Sequence, residues 1–193
     1  MDAGKLRLTG AMAVAIAVLM AGAGSLWAQE DATDLQEDTA EAVADVVEGG
    51  VAKGAVTNLP LPRFVSLKTG DGNVRRGPSL EHRIDWVFRH RGMPLLLTAE
   101  FEHWRRVEDS EGQGGWIYYT LLSGVRTVLV MVDKTALHAQ ADKEAQVVAI
   151  ADEGVIADLG TCLADWCEIS VGRSRGWVEK TALWGVDQDE IRE

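Results

Sequence analysis

The stretch GMPLLLTAEFEHWRRVEDSEGQGGWIYYTLL (residues 92–122) and the stretch GVIADLGTCLADWCEISVGRSRGWVEKTALW (residues 154–184) share one pattern, about sixty residues apart. A glycine is followed twelve residues later by a tryptophan, and then by a Gly-Trp pair. The matched residues are Gly92, Trp104, Gly115 and Trp116 in the first stretch and Gly154, Trp166, Gly176 and Trp177 in the second. Repetition at a fixed offset indicates a duplicated structural unit.

Short apolar runs separated by turn residues occupy both units. Residues 95–101 (LLLTAEF) are the strongest apolar run, and residues 110–114 (SEGQG) have the composition of a hairpin turn. No helical periodicity appears between residues 64 and 184, so the pattern predicts an all-β barrel or sandwich. We expect one small domain over residues 59–124 and a second over residues 125–186. Sixty residues are marginal for a single core, and a shared interface would relieve that shortage.

The N-terminal residues predict export. Lys5 and Arg7 precede an apolar run from Leu8 to Ala23, and a small residue, Ala28, stands before the polar segment. These features are typical of a secretory signal peptide over residues 1–28. The alternative is an uncleaved N-terminal anchor, although the run is shorter than the roughly 20 residues that a spanning helix needs. We expect a periplasmic or extracellular protein with no stable membrane insertion after cleavage.

Charge is distributed unevenly along the chain. Residues 29–58 carry eight acidic residues and one basic residue, lack aromatics, and are predicted to form a disordered acidic tether. Residues 59–124 have a net charge of +1 and residues 125–193 one of −6, the last seven residues (187–193) forming a C-terminal tail. An acidic chain is a poor binder of phosphate backbones, so we expect no nucleic-acid partner.

The two cysteines, Cys162 and Cys167, flank a predicted hairpin in the second unit. An exported protein can retain a disulfide, and a cross-hairpin disulfide is the leading interpretation. A zinc site would require four ligands, and a catalytic thiol would require a base close to the sulfur. The sequence contains no motif of a hydrolase, a metalloprotease or a phosphate-binding loop, and we expect neither metal nor cofactor.

Residues 73–78 (NVRRGP), Trp104, Gly115-Trp116 and Leu122 together resemble the bacterial SH3-like domain of exported cell-envelope proteins. The second unit retains the Gly-Trp pair and Leu183, but it has residues 136–141 (ALHAQA) in place of the opening motif. The resemblance implies two tandem small SH3-like β-barrels over about residues 62–186. It also implies a binding role without catalysis, often toward peptidoglycan or an envelope protein.

Features present only in the first unit mark the candidate ligand surface. Aromatic side chains bind sugar faces and extended peptides, and the planar guanidinium of arginine matches carboxylates. The candidate ligand-binding residues are Arg75, Arg76, Trp86, Arg105, Tyr118 and Tyr119. The four matched tryptophans are instead expected to be core residues.

Two functions fit these observations. The first is an exported, non-enzymatic binding module that engages peptidoglycan or an envelope protein through residues 59–124. The alternative is a structural scaffold of the envelope, in which the two barrels pack together and hold partner proteins. A cell-wall hydrolase is disfavoured, because hydrolases that resemble this family carry a separate catalytic domain.

Overall fold

A computed structural model describes residues 51–193, and these residues contain two antiparallel sheets of seven strands each. The predicted signal peptide and residues 29–50 of the predicted tether lie outside the described residues. The strands are β1 (Arg63–Leu67), β2 (Asp71–Arg75), β3 (Ile84–Arg89), β4 (Pro94–Phe101), β5 (Trp104–Glu108), β6 (Gly114–Tyr118), β7 (Leu122–Ser123), β8 (Thr127–Val130), β9 (Thr135–His138), β10 (Val147–Ala151), β11 (Ile156–Cys162), β12 (Trp166–Val171), β13 (Ser174–Glu179) and β14 (Leu183–Trp184). Short 3₁₀ helices, Tyr119–Leu121 and Lys180–Ala182, precede β7 and β14.

The two sheets have the same topology. The strand order is β3-β2-β6-β5-β4-β1-β7 in the first and β10-β9-β13-β12-β11-β8-β14 in the second, so each strand has its counterpart seven strands later. The prediction of an all-β chain with two tandem SH3-like domains is therefore confirmed. Each hydrogen-bonded ladder is open rather than a closed barrel, because β3 does not pair with β7, nor β10 with β14, in the described part of the chain.

Buried and exposed residues alternate along the strands, and the buried ones form one core in each domain. Val107 on β5 and Ile117 on β6 are fully buried, and Ile169 and Val178 occupy the matching positions of the second domain. Every second residue of a strand points to the same face of the sheet, so Val107 and Ile117, which are diagonal neighbours on adjacent strands, both point into the core. The matched tryptophans depart from expectation: Trp104 is buried, but Trp116, Trp166 and Trp177 are only half-buried and belong to neither core.

The two domains are in contact. The rings of Phe64 and Trp184 pack edge to face with centroids 5.3 Å apart, and the hydroxyl of Thr127 donates a 2.6 Å hydrogen bond to the Gly92 carbonyl. The guanidinium of Arg126 lies 5.6 Å from the centroid of the Phe64 ring. A shared interface, which would relieve the small size of each core, is therefore present.

The predicted disordered tether over residues 29–58 is wrong for its last eight residues. Residues 51–60 fold back on themselves, with backbone hydrogen bonds from Gly54 to Leu59 and from Leu61 to Ala52. The carboxylate of Glu100 then accepts hydrogen bonds from the backbone of Val56 and Thr57. Composition could not reveal this, since the partner is one acidic side chain about forty residues away in the chain.

No helix within residues 51–193 has the length and apolar character needed to cross a membrane.

Candidate functional site

The outer face of β5 and β6 carries the aromatic residues of the first domain. The register places Trp104 opposite Tyr118 and Arg106 opposite Trp116. Opposite residues of an antiparallel pair project from the same face of the sheet, so these four side chains line one surface. Val107 and Ile117, which alternate with them, point into the core.

An aromatic cluster of His103, Trp104, Tyr118 and Tyr119 forms one end of this face. Trp104 and Tyr118 meet edge to face with centroids 5.5 Å apart, and Tyr118 lies 5.3 Å from Tyr119. The imidazole of His103 stacks on Tyr119 at 5.7 Å. Tyr119 is 46% exposed, so the aromatic cluster presents an accessible ring on a supported base. Such a surface suits a sugar ring or an extended peptide.

Arg105 supports the aromatic cluster from beneath. Only 6% of it is exposed, and its guanidinium donates hydrogen bonds to the carbonyls of Glu102 (2.9 Å) and Trp104 (2.8 Å). The same guanidinium lies 5.8 Å from the centroid of the Tyr119 ring. A cation in that position is attracted to the face of the ring and holds it in place.

Glu100 provides the negative charge at this end of the domain. Its side chain is fully buried, and it accepts hydrogen bonds from Arg63 Nη2 (2.7 Å) and Thr57 Oγ1 (2.7 Å). Burial raises the pKa of Glu100, but the hydrogen bonds from Arg63 and Thr57 outweigh it and lower the pKa to about 2. The carboxylate is therefore ionised at neutral pH and clasps the N-terminal segment to the domain.

The structure separates the six predicted ligand residues. Tyr118 and Tyr119 lie in the aromatic cluster, and Arg105 lies beneath it. Arg75 is directed to its own loop, where it donates to the carbonyls of Leu80 (3.1 Å) and His82 (2.6 Å).

The other two predicted residues lie elsewhere on the domain. Arg76 is exposed and bonds Asp85 at 3.0 Å, while Trp86 lies on β3 and is 44% exposed. A direct role in ligand binding stays a prediction for all six residues.

His103 belongs to this surface although no sequence pattern singled it out. Trp104 is buried, as expected of a core residue, and its ring also supports Tyr118. The repeat did contain one signal for His103: at two aligned positions the first domain has the aromatic residues His103 and Tyr119, where the second has the charged residues Asp165 and Lys180. Each pair makes the same backbone hydrogen bond of 2.9 Å, from Tyr119 to His103 and from Lys180 to Asp165.

The second domain carries acids on the same face. Glu168 lies opposite Trp177 and Glu179 opposite Trp166, where the first domain has Arg106 and Tyr118. Basic residues neutralise both acids, with Lys143 at 2.8 Å from Glu179 and Arg175 at 3.7 Å from Glu168. The exposed tyrosine with its stacked histidine thus has no counterpart on this face of the second domain, where Lys180 and Asp165 occupy the matching positions.

The C-terminal tail covers the end of the second domain that corresponds to the aromatic cluster. Lys180, only 1% exposed, donates to the carbonyls of Ala164 (2.8 Å), Gln188 (3.0 Å) and Glu190 (2.7 Å). The backbone of Arg192 pairs with that of Cys162. This end of the second domain is occupied by the chain itself.

The predicted disulfide is confirmed. The sulfurs of Cys162 and Cys167 are 2.03 Å apart, and both cysteines are fully buried in the second core. They lie opposite each other on β11 and β12, which is the expected position across a hairpin. Within residues 51–193, no group of three or more potential metal ligands comes together.

The family comparison agrees with this description. A family described as "Bacterial SH3 domain" matches residues 68–124 and 132–185. Two solved structures, of NlpC1 and NlpC2 from Trichomonas vaginalis, are similar at 12% identity and a TM-score of 0.31. The alignments cover 68% and 64% of this chain, and 48% of each of the two others, so the chain spans about half their length. No protein of curated function matches the sequence.

Proposed function

The chain belongs to the bacterial SH3 domain family, and we propose that it is an exported, non-enzymatic binding protein whose first domain engages peptidoglycan or a protein of the cell envelope. Domains of this family are binding modules, often for the cell wall. Export is supported by the signal-peptide pattern of residues 1–28 and by the disulfide.

The observation that carries the proposal is the aromatic cluster on the first domain. The exposed ring of Tyr119 contacts the His103 ring and the Arg105 guanidinium, so an accessible ring is held in place by two neighbours. A rigid aromatic ring binds with little loss of conformational entropy. The second domain has Lys180 at that position, beneath the tail.

A pull-down with isolated peptidoglycan sacculi tests the proposal. We expect wild type to sediment with sacculi and the double variant Tyr118→Ser/Tyr119→Ser to remain in the supernatant. Ile150→Ser is the matched control, because Ile150 is an exposed apolar residue of the second domain. The control should bind like wild type, and an unchanged far-ultraviolet circular dichroism spectrum should show that the double variant is folded.

The envelope-protein arm of the proposal uses the same variants. Cross-linking in the envelope, followed by mass spectrometry, should recover a partner with wild type and lose it with the double variant. Capture by neither sacculi nor an envelope protein would refute the ligand-binding role.

A structural scaffold is the second candidate, and the contact between the two domains favours it. Phe64, Trp184 and the Thr127–Gly92 hydrogen bond join the domains at their interface. A scaffold would retain its partners when the tyrosines are removed and lose them when Phe64→Ala and Trp184→Ala loosen the interface.

A further inference from the structure

A cleft of about 310 Å³ on the first domain shares the outer face of β5 and β6 with the aromatic cluster but includes none of its four residues, and it is lined by charges of both signs. It opens between the β2–β3 region and the β5–β6 hairpin. The charged residues that line it are Arg76, Asp85, Arg106 and Glu108, with Trp116 as the aromatic wall.

Two glycines of the hairpin line this cleft and allow its walls, β2, β5 and β6, to approach closely. A Cβ at Gly114 would collide with the carbonyl of Val107, and one at Gly115 would come within 2.6 Å of the Arg75 carbonyl. Both clashes are with backbone atoms, which cannot move aside. Since Glu108 lies opposite Gly114, no side chain covers it from the neighbouring strand.

The charged residues of the cleft differ in whether they already have a partner of opposite charge. Asp85 is held by two guanidiniums, Arg76 at 3.0 Å and Arg83 at 2.5 Å, and the hydrogen bond from Arg76 contributes most to lowering the pKa of its carboxyl. Among residues 51–193, the side chains of Arg106 and Glu108 form no ion pair or hydrogen bond. They are two residues apart on β5, so their Cα atoms are about 7 Å apart and both side chains face the cleft.

We propose that this cleft binds an amino-acid zwitterion, meaning an unblocked carboxylate and a primary ammonium carried on one carbon. The carboxylate would take the free guanidinium of Arg106, whose planar donors match its two oxygens. The ammonium would bond Glu108, and the remainder of the ligand would pack on Trp116. The Cα atoms of Arg106 and Glu108 are about 7 Å apart, which leaves room between the two side chains for a ligand whose opposite charges are adjacent.

The second domain provides an internal comparison. At the positions of Arg76, Asp85, Arg106 and Glu108 it has Ala139, Val148, Glu168 and Ser170. None of these four positions carries an arginine, and the single acid among them, Glu168, is paired with Arg175. The zwitterion site is therefore specific to the first domain.

Titration of the purified protein with L-alanine tests this inference, with the Trp116 indole N–H followed by NMR and assigned through Trp116→Phe. We expect alanine to shift this resonance. N-acetyl-L-alanine, which lacks the ammonium, and L-alaninamide, which lacks the carboxylate, should each bind about tenfold more weakly. Equal shifts from all three compounds would indicate apolar contact alone and overturn the proposal, as would no shift with alanine.

Variants assign each charge to its residue. Arg106→Gln should bind alanine as weakly as wild type binds alaninamide, and Glu108→Gln as weakly as wild type binds N-acetyl-alanine. Glu168→Gln, the matched change in the second domain, should leave alanine binding unchanged. Retained discrimination in both cleft variants contradicts the proposal, and thermal melting verifies that each variant is folded.

The inference does not depend on binding to the envelope. Alanine binding with no capture by sacculi or an envelope protein would support the cleft and refute the proposed function. Capture by sacculi or an envelope protein without alanine binding would support the proposed function and refute the zwitterion site.

Discussion

The two cores correspond position by position, yet they are filled differently. Phe88 and Leu95 of the first domain are replaced by Ala151 and Ala157 in the second, so the second core loses side-chain volume at two buried sites. The second core instead includes Cys162 and Cys167, and Val186 from the C-terminal end. One topology is thus stabilised mainly by large apolar residues in one copy, and by a disulfide and a terminal segment in the other.

The ends of the two domains show the same contrast. Arg63 is the first residue of β1 and Arg126 immediately precedes β8, and at these matching places each arginine binds a glutamate. For Arg63 the partner is Glu100, which clasps the N-terminal segment; for Arg126 it is Glu190 of the C-terminal tail, at 2.9 Å. Each terminal segment of the described chain is therefore fastened by an arginine–glutamate pair.

The largest effect is expected when Phe88 of the first core is replaced by alanine, the residue at the matching position of the second core. Phe88→Ala should lower the free energy of unfolding by about 3–5 kcal/mol, because it removes buried apolar area and leaves a cavity. Chemical denaturation measures the loss. Leu80→Ala, at an exposed position of the same domain, should cost less than about 0.5 kcal/mol. A loss below about 1 kcal/mol for Phe88→Ala would show that the first domain does not depend on large residues.

Removing the charge of Glu100 tests the N-terminal clasp. Glu100→Gln should lower the free energy of unfolding by about 2 kcal/mol, since Arg63 loses its charged partner and Thr57 N–H meets a weaker acceptor. Hydrogen exchange should show faster exchange at Val56 and Thr57. Glu102→Gln, an exposed neighbour, is the control and should change neither quantity.

The same clasp predicts the direction of the pH dependence. The pKa of Glu100 is about 2 in the folded protein against 4.5 as its ordinary value. A depressed folded pKa contributes stability that is complete above pH 4.5 and is lost as the pH falls toward 2. Acid titration of wild type should show this loss, and Glu100→Gln should lack it.

Reducing the disulfide should affect the second domain alone. The loop between Cys162 and Cys167 is short, so the chain-entropy account gives a loss of about 2 kcal/mol on reduction. Hydrogen exchange with and without reductant should show faster opening of β11 and β12 and unchanged rates for β4 and β5. Equal acceleration in both domains would mean that the disulfide stabilises the whole unit.

The smallest expected effect concerns the C-terminal tail. Burial, followed by repulsion from Glu190, raises the pKa of Asp187 above its ordinary value. A raised carboxyl pKa contributes stability below the unfolded pKa of 3.8 that is lost as the pH rises. At neutral pH, Asp187→Asn should therefore raise the melting temperature slightly, whereas Asp189→Asn, the next acidic residue of the tail, should change it less.

Local sequence signals predicted much of the fold and of the disulfide. Alternation places Val107 and Ile117 in the core, and the turn residues between Glu108 and Gly115 place β5 beside β6. Both follow from rules that act over a few residues. The segment over residues 51–58 was missed because its order depends on the distant Glu100 carboxylate.

The candidate site was predictable only in part. Tyr118 and Tyr119 stand out because the second copy has no aromatic residues there, whereas His103 joins them only through stacking. Arg105 and Arg106 are neighbours in sequence, but one is buried beneath Tyr119 and the other faces the cleft. Adjacent residues of a strand point to opposite faces, and composition cannot tell which face is outward.

The sequence by itself determined a duplicated all-β chain of the SH3-like kind, its cross-hairpin disulfide, and the domain that carries the aromatic and arginine residues. These depend on periodicity, spacing and turn chemistry, which act locally. The tertiary structure alone decided which arginines support the fold and which remain free, and which ends of the domains are covered by the chain. The physical reason is that a charged side chain acquires its role from partners brought to within about 3 Å by folding, and those partners are remote in the sequence.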